Sequence, residues 1–183
     1  MHLEWRPVAP RPDGPAILTS VATEEAAELA RLASGQDVLE IGGAYGFSAV
    51  TMALGGARSI TSIDPHGGET WLGDTLSTMR RNLDAYGVTD QVQILAAYSQ
   101  VEMPRLREAG RKWSMIFIDG DHRGTSAETD IANAFELITP GGVICVHDYL
   151  EQCCCPEVVA ATDKMFPEGP ERVVATMFVS RAR

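Results

Sequence analysis

The chain has 183 residues, 45% hydrophobic and 22% charged, enough for one domain with a full core and no help from disulfides or metal. Its formal net charge of −10 opposes binding to nucleic acid or an anionic membrane, since both need a basic surface. No apolar run is long enough to span a bilayer, and the opening MHLEWRPVAPRPDG lacks a signal-type apolar stretch, so a cytoplasmic setting is expected.

Pro7, Pro10, Pro12 and Pro15 mark residues 1–16 as an extended proline-rich arm, leaving residues 17–183 as a single domain. Thr23 reads as a helix N-cap followed by Glu24 and Glu25, acids suited to the positive end of the helix dipole. That helix runs through Leu32 and stops near Gly35. Apolar or β-branched runs then follow at Asp37–Ile41, Ser59–Ile63, Gln91–Leu95, Met115–Ile118 and Val143–Val146. Stretches with helical spacing lie among them at Phe47–Leu54, Thr70–Tyr86, Val101–Glu108, Ser126–Leu137 and Glu157–Phe166. Such alternation predicts an α/β fold, a Rossmann-like, doubly wound, mostly parallel sheet with helices on both faces. Arg172–Ser180 has no helix after it and is expected to form a C-terminal antiparallel hairpin on the sheet edge.

Ligands of open α/β sheets bind outside the carboxyl ends of the strands. Polar and ionisable residues collect at those ends here. The first parallel strand carries Glu40 and Gly42, and the second leads to Asp64. The third leads to Tyr98, Ser99 and Gln100, the fourth to Asp119, Asp121 and His122, and the fifth to His147 and Asp148.

The segment VLEIGGAYGFSAVTMAL, residues 38–54, is a strand, a glycine turn and a helix start. Its glycines allow close backbone approach to a ligand, and the helix start offers unpaired N–H groups. A dinucleotide fingerprint requires G-x-G-x-x-G, but Ala44 and Phe47 stand where the later glycines belong. An acid ahead of the turn repels a pyrophosphate and suits a cation. S-adenosylmethionine, with its ammonium and sulfonium, meets that requirement, and Asp64 is placed to accept hydrogen bonds from its ribose hydroxyls.

These residues carry a resemblance to the class I S-adenosylmethionine-dependent methyltransferases. The chain resembles their small metal-dependent O-methyltransferases of the catechol and caffeoyl-CoA type, and the sugar and macrolide O-methyltransferases of secondary metabolism. The likeness spans roughly Ile17 to Asp148, and residues 38–53 are similar to the catechol enzymes' first motif. It implies that Glu40, Gly42, Gly43, Ala44, Tyr45, Gly46, Ser48 and Asp64 hold the cofactor. ILAAYSQVEMPRL, residues 94–106, resembles the adenine-binding stretch, which assigns that contact to Ser99 and Gln100, with Tyr98 where many relatives carry an acid.

The resemblance also implies chemistry for IFIDGDH, residues 116–122. Methyl transfer to a hydroxyl needs that hydroxyl deprotonated, which a divalent cation and a nearby base both assist. The family holds its metal at positions matched by Asp119, His147 and Asp148, and His122 stands where relatives place a catalytic Lys or His. His122 is the expected general base. An imidazole at His147 departs from the oxygen ligands that magnesium prefers, pointing either to a softer metal such as manganese, zinc or iron, or to a His orienting Asp148. Asp119 has a second reading, as a contact to the methionine end of the cofactor.

Other residues read more simply. Cys145 is a small buried hydrophobe, while Cys153, Cys154 and Cys155 are spaced wrongly for a zinc site of separated Cys pairs. The run is expected to be an exposed, oxidisable loop in a reducing compartment. Asp121 points to solvent or caps the helix near Thr125, and His66 is a loop residue. Trp71 and Trp113 are packing residues, and Glu128 and Asp130 sit on a solvated helix face. The acceptor is a small-molecule hydroxyl chosen by the loops Pro65–Trp71 and Tyr149–Cys155 and by Ile17–Val21. A homo-oligomer through the arm and first helix is open. Two other functions compete: a non-catalytic cofactor-binding scaffold with this fold, and a nicotinamide-dependent oxidoreductase, which the failed glycine spacing disfavours.

Overall fold

A computed structural model of the chain describes residues 5–67, 74–150 and 155–182. In chain order the elements are β1 (Arg6–Val8), β2 (Ile17–Thr19), α1 (Thr23–Ala33), β3 (Asp37–Ile41), α2 (Phe47–Leu54), β4 (Ser59–Ile63), α3 (Thr75–Ala85) and β5 (Val92–Leu95). There follow α4 (Ser99–Glu108), β6 (Trp113–Ile118), α5 (Ser126–Leu137), β7 (Ile138–Val146), α6 (Pro156–Met165), β8 (Arg172–Val174) and β9 (Met177–Arg181).

Seven strands form one sheet in the order β5-β4-β3-β6-β7-β9-β8. Strands β3 to β7 pair in parallel, and β9 returns antiparallel to both β7 and β8, the C-terminal hairpin expected. Successive strand residues feed opposite cores. Val38, Met115, Phe117 and Cys145 pack with Leu29, Val50 and Met79 of α1–α3. Leu39, Ile41, Ile116 and Val146 pack with Met103, Ile131 and Val158 of α4–α6. Covering both faces explains why the parallel strands read as unbroken apolar runs. Among the described residues no helix is long and apolar enough to cross a membrane.

The arm folds back onto the domain. Arg6–Val8 pairs antiparallel with Ile17–Thr19, Trp5 meets the Tyr45 ring edge-on at 5.9 Å, and the Tyr86 hydroxyl donates to the Pro15 carbonyl at 2.6 Å. The N-cap of α1 is Ala22 and not Thr23. The Ala22 N–H donates to the Glu25 carboxylate at 2.7 Å, so the acid three residues into the helix satisfies the end. The beginning of the helix expected from Thr70, and Trp71 with it, lie outside the described residues; α3 is described from Thr75, with Asp74 capping it through Ser77 N–H.

Candidate active site

Parallel register lines up the strand ends. Ile41 pairs with Ile63 on one side and Ile118 on the other, Ile63 pairs with Leu95, and Ile118 pairs with Val146. The ladder continues one step into the loops. Gly42 N–H donates to Ile63 O, Asp64 N–H to Leu95 O, Asp119 N–H to Ile41 O and His147 N–H to Ile118 O. Residues far apart in sequence thus become neighbours on one rim, with β3 and β6 adjacent where the strand order reverses, the usual place for a ligand crevice.

The glycine turn after β3 is built for close approach. Gly42 has φ +93°, and a Cβ there would lie 1.9 Å from the Asp119 carbonyl oxygen. Gly46, at φ +85°, forms the N-cap of α2. Ala44 is also left-handed, at φ +40°, and its N–H donates to Asp64 at 2.9 Å. The turn, together with Trp5, Thr19, Val21, Ser48 and Asp119, lines a hollow on the rim. Asp64 accepts a second bond from His66 N–H at 2.7 Å. His66 lies in the loop after β4, as expected, but is buried, with Nδ1 2.9 Å from Thr75 Oγ1.

Glu40 is fully enclosed beneath the turn and accepts bonds from the Ser48 and Ser62 hydroxyls. Burial pushes its pKa up to about 7, with the Asp119 and Asp64 charges adding to the rise and the two serines opposing it. Farther along the rim, Tyr98 is the N-cap of α4 and exposed, Ser99 is its buried first residue, and Gln100 is exposed.

Past the switch point the chemistry becomes ionic. His147, with no exposed surface, has Nε2 3.0 Å from Glu25 and Nδ1 3.2 Å from Asp119 and 3.4 Å from Asp148. His122 has Nδ1 3.1 Å from Asp148 and Nε2 3.5 Å from Asp119. The result is an alternating chain of acids and imidazoles: Glu25, His147, Asp119, His122, Asp148. For Glu25, His147, Asp119 and His122 burial works against the charged form, but the partners outweigh it. Asp119 is held well below the usual carboxylate range, chiefly by His147 and then His122. His147 is raised well above its ordinary value by its acids, and His122 is raised by Asp119 and Asp148.

The residues expected to hold a metal converge. Ligand atoms of Asp119, His147 and Asp148 all lie within 4.8 Å of one another. His147 Nδ1 and Asp148 Oδ1 are buried without a hydrogen-bond partner among the described residues. A buried imidazole among Glu25, Asp119 and Asp148 calls for a positive charge, which a second ring proton or a cation can supply. Glu25 on Nε2 favours the tautomer that leaves the Nδ1 lone pair directed at Asp119 and Asp148, the arrangement of a carboxylate–histidine–metal site. The donor set fits a divalent ion, and the imidazole favours manganese or a later metal over magnesium.

Several residues differ from their sequence reading. Glu25 is a buried anchor as well as a helix-end acid, accepting from Thr176 N–H and Oγ1 at 2.8 Å and from Ala22 N–H. Asp130 is 1% exposed and faces the protein instead of solvent. Burial raises its pKa to about 6, and the Ser99 hydroxyl approaches without completing a hydrogen bond. Cys155 is 8% exposed, not part of an open loop, and its Sγ lies 3.4 Å from His122 Nδ1. Cys153 and Cys154 lie outside the described residues. Trp113 packs in the core, Asp121 accepts from Arg123 and Ser126, and Glu128 pairs with Lys164, as expected of them.

Comparison with known proteins bears on the fold and the family. A catechol O-methyltransferase from Mycobacterium tuberculosis is 30% identical over 158 residues, 75% of this chain and 66% of that protein. The cofactor-bound Rv0187 from MTB superposes with a TM-score of 0.72 at 23% identity, over 99% of this chain and 84% of that one. The O-methyltransferase from Bacillus cereus in complex with SAH superposes at 0.70 and 16% identity, over 89% and 82%. A SAM-dependent methyltransferase from Streptococcus mutans gives 0.65 at 16% identity, over 80% of this chain but only 40% of its own length. At these identities the structural matches establish a shared fold. The methyltransferase domain family matches residues 39–149, well over half of the sequence. The chain belongs to the methyltransferase domain family.

Proposed function

We propose that the chain is an S-adenosylmethionine-dependent O-methyltransferase that moves a methyl group to a hydroxyl of a small molecule, whether a phenol or catechol, a sugar or a polyketide. The observation carrying this reading is Asp119, whose backbone packs against the glycine turn and whose carboxylate belongs to the acid–imidazole chain. Donor and acceptor sites then meet at one strand end. Gly42, Gly43, Ala44, Tyr45, Gly46 and Ser48 form the cradle for the donor. Asp64 keeps lone pairs beyond its two backbone bonds, which suits ribose hydroxyls. Tyr98, Ser99 and Gln100 flank the adenine. Glu40 is enclosed, so it acts on the donor through its charge and by fixing Ser48.

Bound S-adenosylmethionine supplies an electrophilic methyl group on a sulfonium. Asp119, His147 Nδ1 and Asp148 would hold a divalent ion, which when bound would supply a Lewis acid to lower the acceptor hydroxyl pKa. His122 takes the hydroxyl proton at Nε2, while Nδ1–H donates to Asp148 and holds the tautomer. Leu18 and Val21, beside the turn, are placed to shape the acceptor's approach. The consecutive cysteines favour a reducing, cytoplasmic setting.

Calorimetric titration with S-adenosylmethionine, followed by methyl-transfer assays on catechol, phenol and sugar acceptors, tests the proposal. Binding is expected, with turnover lost after EDTA treatment and restored by manganese. No binding would end this reading; binding with no turnover on any acceptor would favour the scaffold.

A further inference from the structure

We propose that His122, Asp148 and Cys155 form a site for a thiophilic divalent cation such as zinc or cadmium. It shares only Asp148 with the Asp119–His147–Asp148 cluster. Donor atoms of the three residues all lie within 4.8 Å of one another. Two of them surround His122 Nδ1, Cys155 Sγ at 3.4 Å and Asp148 Oδ2 at 3.1 Å. Tetrahedral zinc with ordinary Zn–S, Zn–N and Zn–O bonds spaces its ligands by roughly 3.3–3.6 Å, so small shifts close the site.

Two further observations point the same way. Asp148 divides its oxygens, Oδ1 toward His147 and Oδ2 toward His122, so one carboxylate can serve both clusters. His122 Nε2 is buried without a hydrogen-bond partner among the described residues, 3.5 Å from Asp119. A proton on that nitrogen, directed at Asp119, frees the Nδ1 lone pair for a metal. The side chain is 23% exposed, which leaves room for water as a fourth ligand. On binding, the thiol proton and any proton on Nδ1 pass to solvent, and no redox partner is needed.

Occupancy also removes the nitrogen tautomer that base catalysis uses. That consequence rests on the methyltransferase reading above, whereas cation binding does not, so the two fail separately.

The test is titration with cadmium, followed by the ultraviolet thiolate-to-metal charge-transfer band, in wild type, Cys153→Ser/Cys154→Ser and Cys155→Ser. The band is expected to persist in the double variant and to vanish in Cys155→Ser, with affinity falling at least about tenfold. Loss of the band in the double variant, or its retention in Cys155→Ser, overturns the proposal. Should Cys155→Ser fail to fold, X-ray absorption on the zinc-loaded double variant decides: one sulfur ligand supports the site and none overturns it. Zinc is further expected to lower methyl transfer by the double variant on the order of a hundredfold. Unchanged turnover with the site filled would refute the inhibition alone.

Discussion

Glu25 and Glu40 are the same residue type, equally enclosed, and their pKa values are shifted in opposite directions. Glu25 meets a histidine, two backbone N–H groups and a threonine hydroxyl, and its pKa stays below the ordinary carboxylate value although burial alone would raise it. Among the described residues Glu40 accepts from two hydroxyls, with negative neighbours behind them, and its pKa rises to about 7. Burial does not decide the charge; partners do. The rim divides accordingly. Around β3 and β4 it is a backbone cradle over an acid whose pKa is raised to about 7. Around β6 and β7 it is a charged relay anchored by α1. The first half suits a cationic donor, and the second suits taking a proton from an acceptor.

Changes on the relay side should be felt most in turnover and stability. His122→Ala is expected to lower kcat on the order of 10²–10⁴-fold with S-adenosylmethionine affinity unchanged, read from steady-state kinetics beside calorimetry. Equal kcat in the variant would remove His122 from the chemistry. Glu25→Ala strips His147, Thr176 and Ala22 of their shared acceptor. Denaturant unfolding should show a loss of about 3–5 kcal/mol, as for one partner taken from a buried ionic network. A loss near zero would mean that Glu25 anchors nothing.

On the cradle side the effects are geometric and smaller. Gly42→Ala puts a Cβ against the Asp119 carbonyl in a left-handed backbone, and should cost roughly 2–4 kcal/mol and weaken S-adenosylmethionine binding. Unchanged unfolding and affinity would show that the two loops separate freely. Glu40→Gln should act through pH. The folded protein holds the Glu40 proton up to about 7, against an ordinary value of 4.5, so this group's contribution is full below the lower value and is lost as pH rises through the upper. The variant should therefore gain about 1–3 kcal/mol on wild type between about pH 5 and pH 8. A stability difference that stays flat over that range would mean Glu40 is ionised throughout.

Much of this was legible in the amino-acid order. Asp37–Ile41, Phe47–Leu54, Ser59–Ile63 and Ser126–Leu137 fold with the bounds their patterns predict, because parallel strands covered on both faces must be apolar throughout. The convergence of Asp119, His122, His147 and Asp148 follows from strand-end register, which the alternation of elements already implies. Two misread residues did leave a signal. Glu25 stands in the same four-residue spacing as Leu29 and Ala33, and Asp130 lies inside the stripe of Ala127, Ile131, Ala134 and Leu137, so helical periodicity marks both as inward-facing. Ser62 under Glu40 and Cys155 against His122 left none, since each depends on which side chains the strand order and the α6 start bring face to face.

The most direct measurement is a crystal structure of the chain grown with SAH and manganese. The expected result has the SAH ribose on Asp64, its sulfur above the glycine turn, and manganese bound by Asp119, His147 Nδ1 and Asp148, with His122 within reach of the sulfur side. SAH bound away from the β3–β6 rim, or His122 turned to bulk water, would contradict it.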